Sequence, residues 1–158
     1  MVSRFLINHV TYLNTAFPQY IRECAIAAAS DLHENWRKEY IAKNGDVPRY
    51  KDTPDGQVDI NLPYELVHPM YQEANFKMAH FTMNLIRAFA RHEKDRRVLY
   101  RLIHDFWLQE NAYAHGGPLD KPWDELPQVE QDKDVVVFDV CMKHYLADEL
   151  LSQDLGCL

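Results

Sequence analysis

The chain of 158 residues carries 17 basic and 24 acidic side chains, a net charge of -7 at neutral pH. That balance excludes a general affinity for nucleic acid or an anionic membrane surface, since both depend on neutralising phosphates with Lys and Arg. With 47% apolar and 26% charged residues, and 19 aromatics (7 Phe, 9 Tyr, 3 Trp) against five glycines, the composition excludes disorder and disfavours turn-dense all-β folds and glycine-rich phosphate loops, leaving one helical domain as the expectation.

The opening, Met1 to Phe17, places Phe5, Leu6, Val10 and Leu13 on a weak helical stripe and reads as an arm. Arg4 and Asn8 beside Phe5-Leu6-Ile7 are unlike a secretory signal. Pro18 suits a first helical turn. From Gln19 to Lys43, Tyr20, Cys24, Ala28, Leu32, Trp36 and Tyr40 recur at helical spacing, and Asn44-Gly45 supplies a stop. Asp46 to Leu62 is polar, with Pro48, Pro54, an Asp55-Gly56 turn signal and the alternating run Gln57-Val58-Asp59-Ile60, a loop with a small hairpin at most. After Pro69 a helix is expected through Tyr71, Ala74, Met78, Phe81, Leu85 and Phe89, stopping near His92. Another restarts at Asp95 and runs through Val98, Leu102 and Phe106 towards Ala112, broken by Gly116-Gly117-Pro118. The last helix, about Gln128 to Leu151, contains three consecutive valines that are locally strand-like but flanked by helix formers, and a short tail follows from residue 153.

Laid over each other, the two halves match. Leu32-His33-Glu34-Asn35-Trp36 corresponds to Ile103-His104-Asp105-Phe106-Trp107, and the bend Pro63-Tyr64-Glu65-Leu66 corresponds to Pro122-Trp123-Asp124-Glu125-Leu126. The first loop is 11 residues longer, and the excess falls between Pro48 and Asp59. His and Trp at i and i+3 share a helical face, and an aromatic-acid-Leu bend can cap the next helix with its carboxylate while burying the ring and the Leu. Each half is therefore expected to be a helix-loop-helix unit that hides its apolar face against the other, about 20–92 and 94–152, in a mainly α fold with two pseudo-symmetric repeats.

These residues resemble a family. Ile103-His104-x-x-Trp107 followed by Leu119-Asp120-Lys121-Pro122-Trp123-Asp124-Glu125-Leu126-Pro127 and Glu130-Gln131-Asp132-Lys133-Asp134 is similar to the RyR repeat, named after the ryanodine receptor and found in small bacterial and phage proteins. The first copy, with His33, Trp36, Pro48-Arg49-Tyr50-Lys51, Val58-Asp59-Ile60 and Tyr64-Glu65-Leu66, resembles a longer-loop version. The Gly-Trp-x-Tyr-Gly element typical of the receptor repeats is missing from both loops. The resemblance implies a non-enzymatic sensor or sponge for an adenine or cyclic nucleotide in bacterial or phage signalling and defence.

The residues themselves offer two candidate anion sites. In Pro48-Arg49-Tyr50-Lys51 two cations alternate with an aromatic, able to clasp a phosphate while a ring stacks on a base. From Arg87 to Arg101 there are six basic residues against two acids, whereas Asp105 to Leu158 holds twelve acids against three bases. This basic junction either binds an anion or pairs with acids of the last helix. His33, Trp36, His104 and Trp107 are expected to line or support a groove between the repeats, each histidine bonding the opposing loop's backbone through a ring nitrogen or touching the ligand. An interaction module using the acidic last helix or the basic junction is the alternative. An enzyme reading would rest on Asp52, Asp55 and Asp59, which follow no spacing rule.

No cofactor or metal is expected, since none of the eight histidines forms an i, i+4 pair. Cys24, Cys141 and Cys157 form no disulfide framework. Cys24 lies on an apolar face as a core residue. Reduced thiols and the lack of an apolar run of roughly 18 residues give a cytoplasmic protein without membrane contact. The arm and the surplus aromatics could serve self-association.

Overall fold

A computed structural model describes residues 18–89 and 94–156. In chain order they form helix α1 (Pro18–Asn44), strands β1 (Tyr50–Thr53) and β2 (Gly56–Asp59), helix α2 (Pro69–Phe89), helix α3 (Arg96–Glu110), 3₁₀ turns at Ala112–Ala114 and Trp123–Glu125, and helix α4 (Gln128–Gly156). The chain is mainly helical with one small antiparallel hairpin. The expected arm and the break near His92 lie outside the described residues.

Helix α1 ends where the Asn44-Gly45 pair requires it. Gly45 takes φ +82° and its N–H reaches the Ile41 carbonyl at 2.8 Å, a left-handed stop that glycine adopts without steric cost. Its inner face is built of Ala25, Ala28, Ala29 and Leu32, all buried, so small side chains let the neighbouring helix approach closely. That neighbour, α2, is buried without interruption from Phe81 to Ile86 and touches each of the other three long helices, as befits a central helix. Phe81 lies flat on Phe106 of α3, ring centres 4.1 Å apart. Leu99, Leu102 and Ile103 of α3, with Phe138 and Cys141 of α4, complete the core.

Helix α3 starts one residue after Asp95, whose side chain accepts from Arg97 N at 3.0 Å. It stops at Glu110, short of Ala112. Asn111 ends it by turning its side-chain amide back onto the Trp107 carbonyl at 2.8 Å, before the Gly116-Gly117 pair is reached. The valines at 135–137 are helical, and α4 runs past Leu151 to Gly156 because nothing between Ser152 and Leu155 breaks it.

The hairpin pairs Tyr50 with Asp59, Lys51 with Val58, Asp52 with Gln57 and Thr53 with Gly56. Gly56, at φ +104°, makes the turn. Its root is tied by Asp59, which accepts from the backbone N–H groups of Arg49 (2.9 Å) and Asn61 (2.8 Å). Buried Asn61 donates in turn to Asp46 and to the Val47 carbonyl, both at 3.0 Å. The tip is held by His68, whose Nε2–H donates to Asp55 at 2.9 Å.

The bends before α2 and α4 correct the expected alignment. Leu66 is 68% exposed while Val67 is 2% exposed, so Val67, not Leu66, takes the inside place that Leu126 takes in the second bend. The carboxylates do not cap the helices either: Glu65 is exposed, and Asp124 turns to Arg101. At α2 the capping acceptor is His68 Nδ1, which receives the Met70 N–H at 3.2 Å. In the first bend a one-residue shift leaves Glu65 exposed, and in the second Asp124 is taken by Arg101.

Candidate functional site

His33 and His104 are both buried, and both use Nε2 in the same way. His33 Nε2–H donates to the Leu62 carbonyl at 2.7 Å, and His104 Nε2–H donates to the Lys121 carbonyl at 2.9 Å. Each accepting carbonyl lies two residues before the bend aromatic, Tyr64 or Trp123. The loop bonded is the one that follows the histidine's own helix, because that loop folds straight back along it. A second pair of bonds also recurs. Gln72, fourth in α2, donates to the Tyr64 carbonyl at 2.8 Å, and Gln131, fourth in α4, donates to the Trp123 carbonyl at 3.0 Å. The imidazoles lie against their tryptophans, His33 with Trp36 at 5.8 Å and His104 with Trp107 at 6.1 Å.

Outside His33 the first half assembles an aromatic and cationic group. Trp36 stacks on Tyr40, one turn further along α1, with centres 5.5 Å apart. The Arg49 guanidinium rests over both rings, 5.3 Å from the Trp36 centre and 5.5 Å from that of Tyr40. Its position follows from the root of the hairpin, where Asp59 fixes its backbone N–H and its carbonyl accepts the Ile60 N–H at 2.8 Å. Among the described residues no carboxylate forms an ion pair with Arg49. Such a guanidinium is held by ring faces while its N–H donors stay free for an anion.

Strand alternation separates the members of the 49–51 motif. Arg49 and Lys51 fall to one side and Tyr50 to the other, where it is 62% exposed. The aromatic partners of Arg49 are therefore Trp36 and Tyr40. Tyr40 lies at helical spacing from Trp36 within the apolar stripe, and that spacing is the signal that marks it.

Tyr71 of α2 joins this group to the second half. Burial pushes its hydroxyl above the ordinary phenol range, Tyr113 and Asp52 add to the rise, and Arg49 opposes it. Tyr71 thus lies within electrostatic reach of Arg49 and Asp52 from the hairpin and of Tyr113, which follows α3. Tyr113 is 82% exposed and meets the Trp107 ring edge-on at 6.3 Å. Lys77 of α2 pairs with Glu110 at the end of α3 at 3.2 Å, holding the two helices side by side here. Neither Tyr71 nor Tyr113 stood out in the sequence, because only the return of α3 against α2 brings them together.

Two cations of the basic junction pair with acids that lie outside α4. Arg97 bonds Asp95 at 2.8 Å and Arg101 bonds Asp124 at 2.6 Å, while Arg96 lies over the Phe138 ring at 5.2 Å. Asp95 is drawn down to about 2 by its bonds to Arg97. Both acids lie before a helix: Asp95 immediately precedes α3, and Asp124 sits in the bend before α4, which folds back along α3. Of the three aspartates in the hairpin, Asp55 engages His68 and Asp59 engages backbone N–H groups. Cys24 is half-buried against the core, and burial pushes the Cys141 thiol up to about 12.

Among the described residues no helix is long and apolar enough to cross a membrane, and no group of three or more His, Cys, Asp or Glu could hold a metal ion. No protein-family model matches the chain, and comparison with curated proteins finds no match.

Proposed function

We propose that the chain is a non-enzymatic module that binds a small anionic ligand, an adenine or cyclic nucleotide, at the surface where the hairpin meets α1 and α2. The single observation that carries this reading is Arg49, a guanidinium mounted on Trp36 and Tyr40 with no carboxylate partner among the described residues. In this reading Arg49 and the exposed Lys51 take the phosphate. Trp36, Tyr40, Tyr71, Trp107 and Tyr113 offer rings to a base, and His33 and His104 support the two tryptophans from beneath. Stacking on aromatic faces tolerates any base and contributes about 1–3 kcal/mol per base.

We further propose that the site lies between two RyR-like helix-loop-helix repeats, α1 with α2 and α3 with α4. The support is the recurrence of the His-to-carbonyl and Gln-to-carbonyl bonds at equivalent steps of both halves, added to the sequence resemblance. The test is a thermal-shift series with mononucleotides and cyclic nucleotides. A ligand at a hundred times its Kd stabilises by about 2.7 kcal/mol. Replacing Arg49→Ala together with Lys51→Ala is expected to abolish that shift while leaving the ligand-free melting temperature within about 2 °C, a change of about 0.5 kcal/mol. An unchanged nucleotide shift in the double variant would remove the proposed site.

A further inference from the structure

The two halves differ at the seventh residue of the helix after the bend, half-buried in the first and buried in the second. The seventh residue of α2 is Asn75, whose amide bonds the Tyr71 carbonyl at 2.9 Å. The seventh residue of α4 is Asp134, 8% exposed, with Oδ2 only 3.6 Å from Nδ1 of buried His104. Because His104 Nε2 carries the hydrogen given to the Lys121 carbonyl, a neutral imidazole turns a lone pair at Nδ1 towards Asp134. If Asp134 were ionised beside it, two acceptors would face each other in a buried place. The arrangement holds only with a proton on the pair, on the carboxyl or on Nδ1, and such a proton belongs to the pair as a unit.

We propose that the His104–Asp134 pair is a proton-dependent fastening of α3, its following loop and α4, with no counterpart in the first half, where an amide replaces the acid. The charged groups around it reinforce this. Asp105 of α3 and Glu130 of α4 both repel a negative Asp134. Lys133 is the opposing cation, but it is exposed and bonded to Glu130 at 2.6 Å. Arg101 from α3 is committed to Asp124. Burial first, then Glu130 and Asp105, push the Asp134 carboxyl up to about 7. The sign follows from the raised value. An unfolded aspartate releases its proton near pH 4, so between about pH 4 and about pH 7 the folded chain holds a proton that the unfolded chain has lost, and stability falls as pH rises through that window. Since His104 stacks on Trp107, the pair's state reaches that indole. The inference does not depend on the ligand reading.

The experiment is urea unfolding of the full chain at half-unit steps from pH 4.5 to 8, for wild type and Asp134→Asn. The unfolding constant of wild type relative to the variant is expected to rise by up to about tenfold per pH unit within the window and to level off above pH 7. A ratio that stays constant across the series overturns the proposal. Should Asp134→Asn fail to fold, carbon NMR of the wild-type carboxyl decides. A midpoint near neutrality supports the fastening, and a midpoint near 4 overturns it.

Discussion

Replacing His33 by Ala separates the structural role of the matched histidines from a role in ligand contact. The substitution removes the donor to the Leu62 carbonyl, a 2.7 Å bond, and leaves that acceptor without its partner in a part-buried place, at a cost of about 1–3 kcal/mol. It also empties the space between Trp36 and Tyr64, whose rings lie 5.8 Å and 6.1 Å from the imidazole. A total near 3 kcal/mol is expected, and for a domain of this size that lowers the melting temperature by about 6–12 °C. His33→Gln places an amide donor within reach of the same carbonyl and should recover about half of the loss. His104→Ala should cost a similar amount through the Lys121 carbonyl. Circular dichroism melts of the four proteins make the comparison. If both alanine variants melt within about 2 °C of wild type, less than about 1 kcal/mol, the bonds do not fasten the loops, and the histidines must be explained by a ligand.

Two further substitutions test the packing. Val67→Ala should destabilise by about 1.5 kcal/mol, since it strips two buried methyl groups from the bend, whereas Leu66→Ala should change stability by no more than about 0.5 kcal/mol; equal effects in urea titrations would restore the alignment of Leu66 with Leu126. Phe81→Ala removes the ring stacked on Phe106 at the centre of the bundle and should cost about 3–5 kcal/mol, a large share of the total for a single domain. A loss below about 1.5 kcal/mol in the same titration would place the core elsewhere.

The helices were legible because their signals are local. Pro18, Asn44-Gly45, Pro69 and Asp95 mark ends through backbone chemistry that needs no neighbour, and the apolar spacing between them gives each inner face. The small hairpin was legible for the same reason, from Asp55-Gly56 and the short alternating run. The first bend is offset by one residue from its expected alignment, because Leu is the larger apolar side chain and Val67 looks unremarkable beside it. Which of the two is buried depends on how far the chain turns after Pro63, and the Pro63 carbonyl settles that by accepting from both Leu66 and Val67. Pairing at the basic junction was half legible. Charge composition pointed Arg97 and Arg101 to the acids of the last helix, whereas their partners are Asp95 and Asp124. The partnership of Arg49 with Trp36 and Tyr40 needs the hairpin to fold back over α1, and no period within either segment encodes that.

The 11 extra residues of the first loop give the two matched tryptophans different surroundings. Trp36 receives a cation, because the hairpin built from those residues hangs Arg49 over the end of α1 by its backbone bonds with Asp59 and Ile60. Trp107, followed by a shorter connection that turns through Gly116 at φ +76°, receives the edge of Tyr113 instead. A chain of net charge -7 therefore presents a guanidinium free of carboxylate pairing, among its described residues, beside one tryptophan and not beside the other. Any anion drawn to Arg49 would approach from the hairpin side and meet the second half through Tyr71 and Tyr113. The same division recurs inside the fold, where the half that lacks the hairpin carries the buried acid. The first unit thus carries an added cation at its surface, and the second an added titratable carboxyl in its interior.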